Sequence, residues 1–150
     1  MADDRPILFA YDGSEYAQAA IEQAGRQLLP GRKAIVLSVW EPLESVPFWG
    51  APVSRVPSEL VHEAATEAEN VAAEGAARAR RAGFEAKPAT AEGSPVWQRI
   101  IESAEEGNAG MIVMGSHGRS GVAYVALGSV ATAVAHHADV PVLIAPLRGG

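Results

Sequence analysis

Short apolar runs alternate along this chain with longer segments whose apolar residues recur at helical spacing, and this alternation limits the fold more than any other feature. The pattern predicts strands at 6–11, 34–40, 85–91, 111–114 and 140–145, and helices at 15–29, 58–82, 94–106 and 129–137. Gly83, Gly107 and Asn108 follow predicted helices, and Ser14 and Ser58 are predicted to cap the first two.

Strands that alternate with helices indicate right-handed crossovers and one parallel sheet with helices on both faces. The runs around Phe9, Val36 and Ile112 are continuously apolar, as expected for strands buried on both faces. In such sheets ligands bind beyond the carboxyl ends of the strands, so the loops after Tyr11, Val39 and Met114 are the predicted site.

Composition supports a single folded unit and excludes several classes of function. The 150 residues are 48% hydrophobic and 20% charged, which predicts one domain over residues 1–150. The chain has no cysteine, which removes disulfides, thiolate metal sites and cysteine nucleophiles and favours a reducing compartment. It has neither an apolar stretch of membrane-spanning length nor a secretory signal, so we expect a cytoplasmic protein.

The charge is acidic and uneven. The net charge of −6 disfavours nucleic acid and anionic membranes as partners. Residues 1–75 carry 5 basic and 12 acidic side chains (−7), whereas residues 76–150 carry 7 and 6 (+1), so an anionic ligand is expected in the second half.

Residues 42–57 form an irregular segment with four of the ten prolines. With Trp40 it supplies aromatic side chains, Phe48 and Trp49, which either cover a ligand or only anchor the segment; the sequence leaves both open.

A glycine-rich segment follows the fourth predicted strand. Gly115, Gly118, Gly128 and Ser129 lie between a buried strand and a helix, where glycines let the backbone approach a polyphosphate and the start of the helix offers N–H donors. A tight strand-to-helix connection alone would need the same glycines, and spacing does not separate the two readings.

At these residues the chain resembles the ATP-binding subgroup of the universal stress protein family, whose pattern is G-2x-G-9x-G-[ST]. The resemblance extends to residues 7–15, 93–95 and 141–144, which look like the family's first strand and turn, third-strand exit and last strand. It implies a Rossmann-like, five-stranded parallel sheet in the order 3-2-1-4-5, ATP bound with Mg²⁺ or Mn²⁺, and a homodimer paired through the last strand, Val140 to Ala145.

The resemblance also implies which residues bind the nucleotide. The base and ribose side would be formed by Ala10, Tyr11, Asp12 and Val39, and the ribose and phosphates would be approached by Met114, Gly115, Gly118, Gly128, Ser129 and Val130, with Arg119 at the rim.

Several of these residues have a second interpretation. Asp12 precedes Gly-Ser, where an aspartate is often only a turn former. Ala131 stands where some ATP binders have a hydroxyl, and Tyr11 stands where a smaller residue is more usual, so it would narrow the base pocket or stack in it. His117 is read as an exposed, inert loop residue in preference to a phosphate contact or general base, since no carboxylate is placed beside it.

Three functions are compatible with this pattern. The first is an ATP-binding module in stress response or signalling, and the second is a dimeric interaction module without nucleotide. The third is a slow ATPase or self-phosphorylating protein with Ser116, Ser120 or Ser129 as acceptor. No Walker motif or G-x-S-x-G is present, and the adjacent His136 and His137 do not share a helix face for metal binding.

The last predicted strand supports a dimer independently of the resemblance. An unpartnered edge carrying Val142, Leu143 and Ile144 is a template for pairing with another strand, unless Pro141 and Pro146 blunt it.

Overall fold

A computed structural model describes residues 3–42, 57–119 and 126–147 of the chain. In these residues, nine elements alternate between strand and helix: β1 (Ile7–Ala10), α1 (Glu15–Gln27), β2 (Lys33–Trp40), α2 (Ser58–Arg81), β3 (Glu85–Glu92), α3 (Val96–Glu106), β4 (Met111–Gly115), α4 (Ser129–His137) and β5 (Val142–Ala145). The five strands form one parallel sheet in the order β3-β2-β1-β4-β5, which confirms the predicted fold class.

The boundaries follow local chemistry. Ser14 caps α1 by accepting a hydrogen bond from the N–H of Ala17, as predicted. Ser58 does not cap α2: it is the first helical residue, and Pro57, which has no side-chain donor or acceptor, stands at the cap position. The last strand begins at Val142 rather than Val140, since Pro141 has no N–H to give to a ladder.

Alternate residues of the strands enter two separate cores. The side chains of Ile7, Phe9 and Val36 pack with α1 and α2 on one face of the sheet. Leu8, Leu37 and Ile112 pack with α3 and α4 on the other. The strand runs are continuously apolar because both faces are covered.

The order of the strands decides where a site can lie. From β1 the chain continues to β2 on one side, and from the neighbouring strand β4 it continues to β5 on the other side. A crevice therefore opens at the carboxyl ends of β1 and β4. In the described residues, no helix is both long and apolar enough to cross a membrane.

Candidate functional site

A cavity of about 350 Å³ lies in this crevice, on the face of the sheet covered by α3 and α4. Ten of the eleven predicted site residues line it: Ala10, Tyr11, Asp12, Val39, Met114, Gly115, Gly118, Gly128, Ser129 and Val130. Arg119 is not among the lining residues. The fold therefore gathers residues that are more than 100 positions apart in sequence into one concave surface.

Six further residues line the cavity and were not predicted: Ala17, Leu37, Val96, Ile100, His117 and Ala131. Leu37 was accessible to sequence reasoning, because it lies two residues before Val39 and strand side chains alternate with a period of two. Val96 and Ile100 were not, since a helical stripe does not say which of its residues meet the carboxyl end of the sheet.

Asp12 joins two of the loops that border the cavity. One carboxylate oxygen, Oδ1, accepts the N–H of Ser14 at 2.9 Å, and the other, Oδ2, accepts the N–H of Arg119 at 3.0 Å. The first bond is the turn-forming bond expected of an aspartate before Gly-Ser. The second fastens the loop after β4 to the loop after β1, which the sequence did not foretell.

The glycines of the motif fit against other parts of the chain. A Cβ atom on Gly115 would lie 2.6 Å from the carbonyl carbon of Tyr16, and one on Gly118 would lie 2.9 Å from Oδ2 of Asp12. A Cβ on Gly128 would lie 3.0 Å from the carbonyl oxygen of Ser116. Each glycine thus has a packing reason within the protein, and replacing Gly128 by a bulky residue would disturb the loop as well as any ligand.

Tyr11 contributes to the cavity wall, but its ring packs beneath α2. The residue is 3% exposed, and a Cβ on Gly75 of α2 would lie 2.5 Å from the ring. The hydroxyl donates a hydrogen bond to the Glu74 carboxylate, which also accepts one from Nε of Arg78 at 2.9 Å. Because the ring packs against α2, it is not positioned to stack on a nucleotide base, as the sequence suggested it could be.

The Tyr11 and Glu74 pair shifts the titration of both groups. Burial, together with the bond to Glu74, raises the pKa of the Tyr11 hydroxyl to about 12. Burial acts to raise the pKa of Glu74, but the hydrogen bonds from Tyr11 and Arg78 outweigh it and the pKa is lowered.

The start of α4 forms the end of the cavity that is suited to an anion. Gly128 occupies the cap position and has no side chain to bond the first N–H groups of the helix, and Ser129 is exposed. Ala131 is 2% exposed and packs inward. The nearby hydroxyl of Thr132 donates to the carbonyl oxygen of Gly128 at 2.8 Å, so it bonds within the helix.

His117 is less exposed than the sequence predicted. It is half-buried and lines the cavity. Its Nδ1 lies 2.9 Å from Oγ of Ser116, and its ring centroid lies 5.0 Å from that of Tyr16.

Other sequence predictions fall elsewhere. Phe48, Trp49 and Ser120 lie outside the described residues, as does nearly all of the segment 42–57. The ring of His137 stacks on Trp97 with centroids 4.5 Å apart, and neither residue lines the cavity. Among residues 3–42, 57–119 and 126–147, no three His, Asp or Glu side chains are grouped to hold a metal ion.

The sheet order and the crevice cavity define an open, doubly wound α/β protein with a ligand-sized site at the topological switch point. A model of the universal stress protein family matches residues 5–146, and the chain belongs to that family.

Curated relatives agree with this assignment. The chain is 31% identical over 145 residues to a universal stress protein of Thermus aquaticus, covering 93% of this chain and 97% of that protein. It is 30% identical over 151 residues to universal stress protein Rv2005c of Mycobacterium tuberculosis, covering 93% of this chain and 45% of that one. The chain thus spans about half the length of the mycobacterial relative.

Solved structures share the fold. The structure of hypothetical protein MJ0577 superimposes with a TM-score of 0.80 at 27% identity, covering 99% of this chain and 100% of that one. A universal stress protein in complex with cAMP matches with a TM-score of 0.61 at 23% identity and coverages of 97% and 99%. One from Archaeoglobus fulgidus in complex with dAMP matches with a TM-score of 0.59 at 21% identity and coverages of 93% and 96%.

Proposed function

We propose that this protein binds an adenine nucleotide in the cavity between β1, β2 and β4. The observation that carries the proposal is the cavity of about 350 Å³, a volume within the usual range for small-molecule sites. One end of the cavity is apolar, and the start of α4 lies at the other end. The two structures with cAMP and dAMP share the fold at low identity, so this chain's own residues must support the ligand.

The apolar end suits a base and ribose. Val39 and Leu37 from β2, Met114 from β4 and Ile100 from α3 present aliphatic and thioether surface to the cavity. An adenine base buries its flat faces well against such surfaces, while its exocyclic amino group needs a hydrogen-bond acceptor at the edge. Among the described lining residues, Asp12 carries a carboxylate, whose remaining lone pairs could accept from this amino group or from a ribose hydroxyl.

The opposite end suits phosphates. The first N–H groups of a helix have no partner within the helix, and the helix dipole adds about 0.3–1 kcal/mol for an anion at that position. Ser129 and Val130 bring these groups to the cavity at the start of α4. The preferred ligand of the proposal is therefore ATP rather than adenosine.

A divalent cation would accompany ATP. Mg²⁺ is usually held in large part by the substrate phosphates and water, which would place it beside the phosphates at the start of α4. When bound, the cation neutralises phosphate charge. We propose Mg²⁺ or Mn²⁺ for this position and a role for the loaded protein as a stress-response or signalling module.

The outer edge of β5 is the proposed dimer contact. Val142, Leu143 and Ile144 are only half-buried in the single chain, and strand edges of this kind pair readily. A purely monomeric protein in light scattering at micromolar concentration would contradict this proposal.

One observation favours a second candidate, an interaction module without nucleotide. Both oxygens of Asp12 already accept main-chain N–H groups, and Gly115, Gly118 and Gly128 each have packing reasons of their own. The motif is thus also explained as the framework of a rigid loop.

Ser129→Asp separates the two candidates. An aspartate at the first position of α4 favours the helix dipole, so stability should hold or rise by up to about 1 kcal/mol, while phosphate binding should weaken at least roughly tenfold by charge repulsion. The matched control is Ser58→Asp, the same change at the first position of α2, whose cap residue likewise makes no side-chain bond.

Thermal unfolding with MgATP, AMP and adenosine provides the measurement. At 100 times the dissociation constant, ATP should raise the midpoint of the wild type by roughly 5–11 °C. Ser129→Asp should lose most of this rise and Ser58→Asp should retain it. No rise in the nucleotide-stripped wild type at millimolar concentrations of any of the three ligands would favour the interaction module.

A further inference from the structure

The strand β3 lies at one end of the strand order, so one side of its main chain has no neighbouring strand. Two hydrogen bonds show which residues face β2 instead: the N–H of Glu85 donates to the carbonyl oxygen of Arg32 at 2.9 Å, and that of Gly93 donates to the carbonyl oxygen of Trp40 at 3.1 Å. Main-chain groups along a strand point alternately to its two sides, and the register with β2 is unbroken. Residues 86, 88, 90 and 92 therefore form the outer edge of β3.

Two arginine side chains hydrogen-bond to this edge, one from each face of the sheet. Nε of Arg80, in α2, donates to the carbonyl oxygen of Ala86 at 2.9 Å. Nε of Arg99, in α3, donates to the carbonyl oxygen of Glu92 at 3.1 Å. Both carbonyl groups belong to the outer edge. The first and the last acceptors that the edge offers are thus bonded by the protein itself.

The middle of the same edge is occupied by Pro88. A proline has no main-chain N–H, and it is tolerated in a strand where that N–H would face away from the neighbouring strand. The alternation along β3 places Pro88 in this outward orientation. A strand that approached this edge would find no donor at its centre and bonded acceptors at its ends.

The Arg99 side chain is fixed in its position by two further contacts. Its Nη1 lies 3.1 Å from Oε1 of Glu106. Its aliphatic part passes over Gly93, where a Cβ would lie 2.7 Å from both Cγ and Cδ of the arginine. A side chain at position 93 would displace the arginine. The glycine that follows β3 therefore allows Arg99 to reach the edge.

The opposite edge of the sheet, at β5, is different. The carbonyl oxygen of Pro141 accepts the N–H of Ile112 at 3.0 Å and so faces β4, which by the same alternation turns Val142 and Ile144 outwards. In the described part of the chain, no side chain hydrogen-bonds to the main chain of these two residues. The hydrogen bonds from arginine are thus a property of the β3 edge and not of strand edges in this protein generally.

We propose that Arg80, Pro88 and Arg99 close the outer edge of β3 against strand addition, so that β3 does not pair with β3 of a second copy of this chain. Unpartnered strand edges otherwise pair readily, and natural sheets protect them with prolines and charged side chains. The inference concerns the edge opposite to the proposed dimer contact and does not depend on nucleotide binding. With β3 closed, an assembly that uses β5 ends at two copies.

The triple variant Arg80→Ala/Pro88→Val/Arg99→Ala opens the edge and tests the proposal. Sedimentation velocity at high micromolar concentration should show an additional association step, with a weight-average mass about twice that of the wild type, as expected when copies pair through a new two-fold contact. The control variant Arg26→Ala/Arg81→Ala removes the same charge at two exposed positions in the last turns of α1 and α2. It should keep the mass of the wild type.

Hydrogen exchange locates the new contact. The N–H of Thr90 faces outwards, so it should exchange rapidly in the wild type and at least roughly tenfold more slowly in the associated triple variant. The N–H groups of Ala89 and Ala91 face β2 and should be protected in both proteins. These two residues provide an internal control on either side of Thr90.

Four outcomes would overturn the inference. The first is a triple variant that is folded by circular dichroism and keeps the mass of the wild type. The second is an equal increase of mass in the control variant, which would make lost charge the cause. The third is association without protection of Thr90, and the fourth is a wild type that associates with Thr90 already protected. If the triple variant does not fold, Pro88→Val/Arg99→Ala undergoes the same measurements with the same expected results.

Discussion

The two faces of the sheet are built from the same strands but are filled differently. On the face of α1 and α2, small residues let the helices approach the sheet so closely that a Cβ on Gly75 would lie 2.5 Å from the Tyr11 ring and 2.8 Å from Cγ1 of Val36. On the face of α3 and α4, the core residues Leu8, Ile112 and Val134 are equally buried, yet a cavity of about 350 Å³ remains at the carboxyl ends of the strands.

The difference shows that a fold can keep rigidity and binding space in separate places. The close-packed face fixes β1 and β2, and their carboxyl ends then form part of the cavity wall. The open face carries the helix start and the glycine loop. The strands that border the cavity are thus held on their other face by a buried, closely packed core.

The same substitution on each face of β2 is the strongest test of this contrast. Val36 is fully buried against α2, so Val36→Trp should destabilise the protein by more than about 3 kcal/mol or prevent folding. Val39 lines the cavity, so the added bulk of Val39→Trp has space to enter, and stability should change by less than about 1 kcal/mol.

The binding of ATP should instead be impaired mainly by the substitution on the cavity side. Val39→Trp should reduce ATP affinity at least roughly 100-fold, which corresponds to about 2.7 kcal/mol. Chemical denaturation and calorimetric titration of both variants provide the measurements. Equal destabilisation by the two tryptophans would contradict the division into a closed and an open face.

A smaller effect is expected from Gly75→Ala on the closed face. The new Cβ would lie 2.5 Å from the Tyr11 ring, so crowding should cost about 1–3 kcal/mol net of the higher helix propensity of alanine. Ala73→Gly, two residues earlier at an exposed position of α2, measures that propensity term alone. A Gly75→Ala protein more stable than the wild type in urea would show that the contact relaxes without cost.

The smallest effect concerns the Tyr11 hydroxyl. Tyr11→Phe should lower stability by about 1–2 kcal/mol at neutral pH through loss of the bond to Glu74. The folded-state pKa of about 12 lies above the unfolded value of about 10, so the unfolded chain loses its proton first. The contribution is therefore complete below about pH 10 and is lost as the pH rises towards 12.

The free energies of unfolding of the wild type and of Tyr11→Phe, measured from pH 8 to pH 12, should converge at the alkaline end. Tyr16 lies on α1, with its ring beside that of His117. The variant Tyr16→Phe serves as the control for general alkaline effects. A gap between wild type and Tyr11→Phe that stays constant with pH would contradict the assignment.

Most residues of the candidate site were predictable from the sequence, because the patterns that indicate them are local. The runs around Phe9 and Ile112 and the glycines at 115, 118 and 128 are readable in short windows, and the resemblance they carry supplied the strand order. Sequence reasoning misjudged the exposure of His117, because its contacts with Ser116 and Tyr16 are recognised only when the loop is folded against α1. It missed Ile100, since nothing in a helical stripe says which end of the sheet it meets.

The sequence by itself determined the elements and the parallel sheet, since apolar periodicity and helix stop signals act within a few residues of one another. Only the tertiary structure decided which face of the sheet is closely packed and which retains a cavity. It also decided that Asp12 joins two loops and that the Tyr11 side chain packs against α2 and hydrogen-bonds to it. These are contacts between residues 63 and 107 positions apart, and they depend on how closely whole helices approach the sheet.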